Sequence, residues 1–303
     1  MHKGAMFYRR FLKLFKNNLL SLQGLKLSRR RRIKNNRQAP IKLWWWKYKN
    51  GKSGQENFGD VVTTDIIKSI FGYNVVFSEI YQCQMIGIGS IIYALDDYAD
   101  TNIVNVWGSG YIDNERNLSL RNSFRFWCVR GQFSQKRINK ENYSKDSLTL
   151  GDPGILVSLV YQYKKNNKAE KIGFIPHYCN IKDKLTNKIR KDKRFVVISP
   201  LDRPENIAKK IVNCKLVLSS SLHGLIFSDS FKVPNFCVPI IKKSDGGDYK
   251  FKDYYSGVDK KYCPVDIDKI FDQDYLDELI KSYEPIKKLK DKQRKIIKSF
   301  PYY

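Results

Sequence analysis

From residue 41 onward, short apolar runs alternate with longer stretches whose apolar positions recur every three or four residues. That alternation is the pattern of β-α units built around a mostly parallel sheet. The runs predict strands at 41–46, 75–77, 84–88, 103–106 and 124–129, and again at 171–175, 195–198 and 216–219. Helical spacing predicts helices over 60–71, 205–213, 222–231 and 275–281, with a basic one at 285–298. Asp60 reads as the cap of the first of these, and Asp152-Pro153 as N-cap and first position of a helix reaching residue 163. Near the N-terminus, Phe11, Leu12, Phe15, Leu19 and Leu22 share one face of an amphipathic helix over 7–25, opposite Arg9, Lys13 and Lys16. The polar stretch at 164–171 is the best linker. The predicted architecture is therefore α/β. It comprises a basic N-terminal segment (1–37), two Rossmann-like lobes (38–165 and 166–284) with a cleft between them, and a basic C-terminal helix (285–303).

Composition changes this picture in three ways. A chain of 303 residues with 42% hydrophobic content can bury two cores, which excludes wholesale disorder. No run of about 18 apolar residues is available to span a bilayer. The six cysteines form no C-x-x-C pair and lie among strand-like residues, as reduced core thiols in a reducing compartment do, and this argues against a structural zinc site. The net charge of +26 points to an anionic partner: nucleic acid, an acidic membrane face or a phosphorylated substrate. A lysine- and asparagine-rich chain also fits a biased genome. The helix at 7–25, followed by Arg29 to Arg32, suits anionic headgroups and equally suits packing on the protein's own surface. It lacks the uninterrupted apolar stretch and cleavage site of a secretory signal. The expected location is cytoplasmic, with the inner face of the plasma membrane as the surface such a helix would meet.

Four segments place glycine, charge or histidine at strand ends, the edge where open α/β sheets bind ligands. Asn57-Phe58-Gly59-Asp60 sits at a strand-to-helix turn whose amides can receive an anion or a sugar hydroxyl, or simply cap the helix. Trp107-Gly108-Ser109-Gly110 allows close approach of backbone to ligand, or a tight structural turn. Arg130 ends an apolar strand, where a guanidinium suits a carboxylate or phosphate, or a salt bridge. In Ser219-Ser220-Ser221-Leu222-His223-Gly224 a buried strand feeds a helix whose first turn offers free amides, a positive dipole end and an imidazole. Of only three histidines, His177 and His223 both follow predicted strands of the second lobe.

Read in order, N-F-G-D, W-G-S-G, V-R-G-Q-F-S, G-D-P-G-I-L, I-P-H-Y, S-S-S-L-H-G and V-P-N resemble the polysaccharide pyruvyltransferase family across about residues 41–240. The resemblance implies two Rossmann-like lobes in the arrangement of GT-B glycosyltransferases. It implies phosphoenolpyruvate as donor and a sugar of a lipid-linked glycan as acceptor. By similarity, Arg130 and His223 match positions that hold the donor's carboxylate and phosphate, with Ser221, Leu222 and Gly224 beside them. Asp60 and His177, near Asn57 and Gly59, match positions facing the acceptor. Two departures stand out: Gly154 where many members have Ala, and Ser221 where many have Arg. Arg203 is the candidate to replace that missing charge.

The implied chemistry needs an acid to protonate the donor's methylene carbon, a base for the sugar hydroxyl, and fixed cations for a trianionic donor. His223 is expected to bind donor and serve as acid, with Asp60 or His177 assisting the acceptor. Neither cofactor nor metal is expected. Two alternatives stay open: a glycosyltransferase using a nucleotide sugar, for which no ribose-gripping carboxylate is evident beside His223, and a basic nucleic-acid-binding module, for which no RNA-reading or zinc signature is found.

Overall fold

The protein is described by a computed structural model covering residues 39–47, 56–97, 103–114, 124–138, 143, 148–239 and 247–303. The expected helix at 7–25 and the Arg29–Arg32 block lie outside these residues.

Among the described residues, ten strands form two sheets. The first contains β1 (Ile41–Trp44), β2 (Val75–Phe77), β3 (Met85–Ile86), β4 (Val104–Trp107), β5 (Phe124–Val129) and β6 (Thr149–Leu150), in the order β2-β1-β3-β4-β5-β6. The second contains β7 (Ile172–Ile175), β8 (Phe195–Val197), β9 (Leu216–Ser219) and β10 (Asn235–Cys237), in the order β10-β9-β7-β8. Every strand pair is parallel. All carboxyl ends within a sheet therefore meet at one edge. Parallel strands are covered on both faces and read as continuous apolar runs, as β7 (IGFI) and β9 (LVLS) do, with every residue buried.

Nine helices accompany them among the described residues: α1 (Phe58–Ile66), α2 (Gln132–Gln135), α3 (Val157–Tyr161), α4 (Lys184–Lys191), α5 (Pro204–Ile211), α6 (Leu222–Ser230), α7 (Tyr249–Gly257), α8 (Gln273–Ser282) and α9 (Leu289–Lys298). The cap of α1 is Asn57, whose side chain accepts from the Gly59 N–H at 3.0 Å. Asp60 was expected to cap this helix; it lies inside the first turn instead and is free for other work. Asp152 does cap the turn that leads into α3, accepting from the Gly154 N–H at 2.8 Å, with Pro153 following.

The two sheets share a hydrophobic core. One cluster runs from Ile41 and Leu43 of β1, through Phe58 and Val62 of α1, to Leu225, Ile226 and Phe227 of α6. The Phe58 and Phe227 rings meet edge to face at 4.9 Å, and the Phe58 N–H donates to the Pro200 carbonyl at 3.1 Å. All nine residues of α6 are buried, which explains why its sequence shows no polar face. The polar residues of its last turn are satisfied within the protein. Asp229 accepts from Asn235, Tyr254, Lys260 and Tyr283, and Ser230 donates to the Ile155 carbonyl at 2.7 Å.

The chain returns twice to the first sheet after completing the second. Helix α7 lies against α2. Helix α9, the basic C-terminal helix, offers its Ile296 carbonyl to the Trp107 indole N–H at 3.3 Å, while its Gln293 donates to the Ile155 carbonyl at 2.7 Å. Among the described residues no helix is long and apolar enough to cross a membrane.

Candidate active site

A cavity of about 250 Å³ opens over the carboxyl ends of β1, β3, β7 and β9. Its polar wall comprises Asn57 and Asp60 from the start of α1, Ser90 after β3, His177 after β7, and Ser221 and His223 at the start of α6. Lys250 of α7 closes it. Trp46, Ile91, Tyr93, Ile112, Tyr178 and Leu222 supply its apolar lining.

Hydroxyl groups shape the turn that carries His223. The Ser219 Oγ accepts from the Ser221 N–H at 3.0 Å and donates to the Ser221 carbonyl at 2.7 Å. The Ser220 Oγ accepts from the His177 N–H at 2.8 Å, tying the two histidine-bearing turns together. No side chain caps α6, since Ser221 at the N-cap position makes no capping bond. The Gly224 N–H turns back to the Ser221 carbonyl at 3.1 Å, and the Leu222 and His223 amides lie at the helix's positive end, which faces the cavity.

His223 reaches its place because residue 59 is glycine. A Cβ there would lie 1.7 Å from His223 Nδ1. The imidazole thus crosses the backbone of α1, with its edge toward the Phe58 ring at 6.0 Å. Both histidines keep one buried nitrogen without a hydrogen-bond partner, Nε2 in His223 and Nδ1 in His177.

Electrostatics separate the three titrating groups. Burial pushes the Asp60 carboxyl up to about 8; Lys250 opposes the shift, and Glu56 and Asp152 add to it. Burial and then Lys250 lower His177 to about 3. Burial, Arg130, Lys250 and His177 lower His223 to about 3. These shifts favour a protonated carboxyl beside two neutral imidazoles at neutral pH. A proton donor and two proton acceptors are thus available together.

Of the residues expected from sequence, the cavity gathers His223, Asp60, His177, Ser221, Leu222 and Asn57. Gly59 and Gly224 stand behind it as room for packing; a Cβ on Gly224 would lie 2.4 Å from Ser219 Oγ. Two more of the expected residues lie outside its lining. Arg130 does not line the cavity. Its fully buried guanidinium donates from Nε to Asp253 Oδ2 at 2.9 Å and from Nη1 to Ser90 Oγ at 2.6 Å, and Nη2 donates to the Tyr111 carbonyl. Gly110 makes room for it, since a Cβ there would lie 2.5 Å from Arg130 Cζ, so the W-G-S-G turn accommodates this side chain. Arg203 is exposed at the N-cap of α5 and does not line the cavity.

Lys250 is the site residue that sequence reading missed, and with it the whole of α7. The available signal was a lysine spaced one turn from Asp253 and Tyr254 in a segment rich in aromatics. Such a pattern reads equally well as a solvated surface helix.

Both histidine turns and the Asn57–Asp60 turn fall within residues 25–242, which match the family model described as polysaccharide pyruvyl transferase. The chain belongs to that family. The match ends before α7, so Lys250 and Asp253 lie beyond the matched region. Over 150 residues the chain is 36% identical to the uncharacterized protein L143 of Acanthamoeba polyphaga mimivirus, covering 45% of this chain and 51% of that protein. Over 196 residues it is 24% identical to the succinoglycan biosynthesis protein ExoV of Rhizobium meliloti (strain 1021), covering 64% of this chain and 58% of that relative. The chain spans a little over half the length of these two relatives.

Proposed function

We propose that the protein transfers the enolpyruvyl carbons of phosphoenolpyruvate to a sugar in polysaccharide synthesis, forming a pyruvate ketal and releasing phosphate. Family membership and the similarity to a succinoglycan biosynthesis protein support the reaction class. The observation that carries the reading is the cavity that joins Asp60 to His177 and His223 at the start of α6, where burial favours the uncharged form of each.

In this mechanism Asp60 gives its proton to the donor's methylene carbon, and positive charge develops at C2. A sugar hydroxyl adds to C2 while a neutral imidazole takes its proton. The C2–O bond to phosphate then breaks, and the imidazole's proton leaves with phosphate. A second sugar hydroxyl closes the ring on C2, returning its proton to Asp60. One proton ends on carbon and one on phosphate, which balances the two hydroxyls consumed. The roles expected from sequence shift accordingly. Asp60, with its raised pKa, is the acid, whereas His223 binds donor and accepts a proton.

The acceptor enters from an adjoining cavity of about 320 Å³, which shares Trp46, Asn57 and Tyr178 with the first and adds Cys179, Ile181, Lys182 and Leu201. An aromatic floor of this kind suits a sugar ring, apolar on its face and polar at its edge. We take the two sheets as the two lobes of a GT-B-like arrangement, and a lipid-linked glycan at the cytoplasmic face of the membrane as acceptor.

The test is phosphate release from phosphoenolpyruvate, with appearance of a ketal methyl signal on the glycan, run beside a panel of nucleotide sugars. Wild-type protein consumes phosphoenolpyruvate only, and folded His223→Ala does not. Turnover of a nucleotide sugar, or unchanged phosphate release by His223→Ala, would defeat the reading.

A further inference from the structure

Among the described residues, Lys250 is the one lysine or arginine lining the reaction cavity. We propose that Lys250 is the cation that holds the donor's phosphate, against the amides at the start of α6. This deepens the phosphoenolpyruvate reading and rests on it for the donor's identity.

Three observations converge. First, Lys250 is nearly buried, 7% exposed, and what remains faces the same cavity as Ser221, Leu222 and His223. Second, α6 presents an uncapped first turn to that cavity, and His223 Nε2 and His177 Nδ1 are buried there without partners. Amide donors, a helix's positive end, an imidazole and an ammonium together match a dianionic phosphate. Lysine serves such groups as a point charge and needs no fixed fork geometry.

Third, the position of Lys250 is set from outside the cavity. Asp253, three residues further along α7 and so on nearly the same side of the helix, accepts from Arg130 Nε at 2.9 Å. It also accepts from the Ser134 N–H at 2.9 Å and the Ser134 hydroxyl at 2.6 Å. The backbones are in contact as well: a Cβ on Gly131 would lie 1.7 Å from the Asp253 carbonyl oxygen, and one on Gly257 would lie 2.1 Å from that of Arg130. The guanidinium does not reach the cavity; it fixes the helix that brings the ammonium there.

Titration calorimetry of the full chain with phosphoenolpyruvate, and separately with inorganic phosphate, tests this in wild type, Lys250→Met and Lys250→Arg. Loss of a charged hydrogen bond to phosphate weakens binding by about 10- to 100-fold. Lys250→Met should lose that much toward both ligands, and Lys250→Arg should recover part of it, with unchanged melting of the ligand-free proteins. Lys250→Gln replaces Lys250→Met if the latter does not fold. Wild-type affinity for inorganic phosphate in a folded neutral variant overturns the proposal. A wild-type protein that binds inorganic phosphate as tightly as phosphoenolpyruvate, with Lys250→Met losing both, would instead sink the donor assignment and leave the phosphate site standing.

Discussion

Arg130 and Asp253 form an ion pair, 2.9 Å from Nε to Oδ2, with neither side chain exposed to solvent. They are 123 residues apart in the chain and join β5 to α7. A pair like this locks geometry more surely than it adds stability, because both charges have been taken out of water.

Removing one partner should therefore be costly. Asp253→Leu is expected to lower unfolding free energy by about 3–5 kcal/mol, since it leaves the guanidinium buried and uncompensated. The double variant Arg130→Met with Asp253→Leu should lose less than the two single losses combined. Urea denaturation of all four proteins closes the cycle. Strict additivity would show that the pair is not coupled.

Gly59→Ala should disable the site while leaving the helix intact, since alanine is the better helix former. The new methyl would occupy the place of His223 Nδ1, and a displacement of about 1 Å at a reacting group costs about 10²-fold in rate. In a His223→Ala background, where the methyl no longer meets the ring, the same substitution should leave the melting temperature unchanged. A fall in melting temperature there would mean that Gly59 acts by another route.

The pH dependence of turnover should report Asp60. Its carboxyl must carry a proton in the free enzyme, and burial has raised it to about 8. The ratio kcat/KM is thus expected to fall tenfold per unit above pH 8, measured in buffers of constant ionic strength. A rate that holds constant from pH 7 to 10 would remove Asp60 as the acid.

Stability should carry the same signature. Between 3.8 and about 8 the folded protein holds a proton on Asp60 that the unfolded chain releases, so this group makes stability fall as pH rises. His177 and His223, near 3 when folded and 6.5 in the unfolded chain, act oppositely, but only below pH 6.5. From pH 6.5 to 8 the carboxyls prevail: Asp60, and Asp152, which burial raises to about 7. Each proton is worth about 1.4 kcal/mol per pH unit, so Asp60→Asn should retain about 2 kcal/mol that wild type loses over that interval. Urea midpoints at pH 6.5 and 8 give the comparison.

Trp46, at 37% exposure, stands between the two cavities and should act on the acceptor alone. Trp46→Ala is expected to raise the acceptor KM about tenfold through lost ring contact, leaving phosphoenolpyruvate affinity unchanged. Equal losses toward both substrates would place the indole elsewhere in the reaction.

The sequence by itself determined the elements and the ligand edge. Parallel strands such as 172–175 and 216–219 are buried on both faces, so their apolar runs are continuous and bounded by proline, serine or charge. The turns holding Asp60, His177 and His223 were legible for the same reason, because functional groups at strand ends interrupt an apolar pattern. Two-residue β6 and the short β10 were missed, since neither is long enough to show a period. Tertiary structure alone decided which charged groups face the cavity. Arg130 and Lys250 are both cations beside aromatics, and nothing local marks the first as a buried strut and the second as a wall of the site. That difference arises because Asp253, distant in sequence, neutralises the guanidinium and fixes the helix one turn from Lys250.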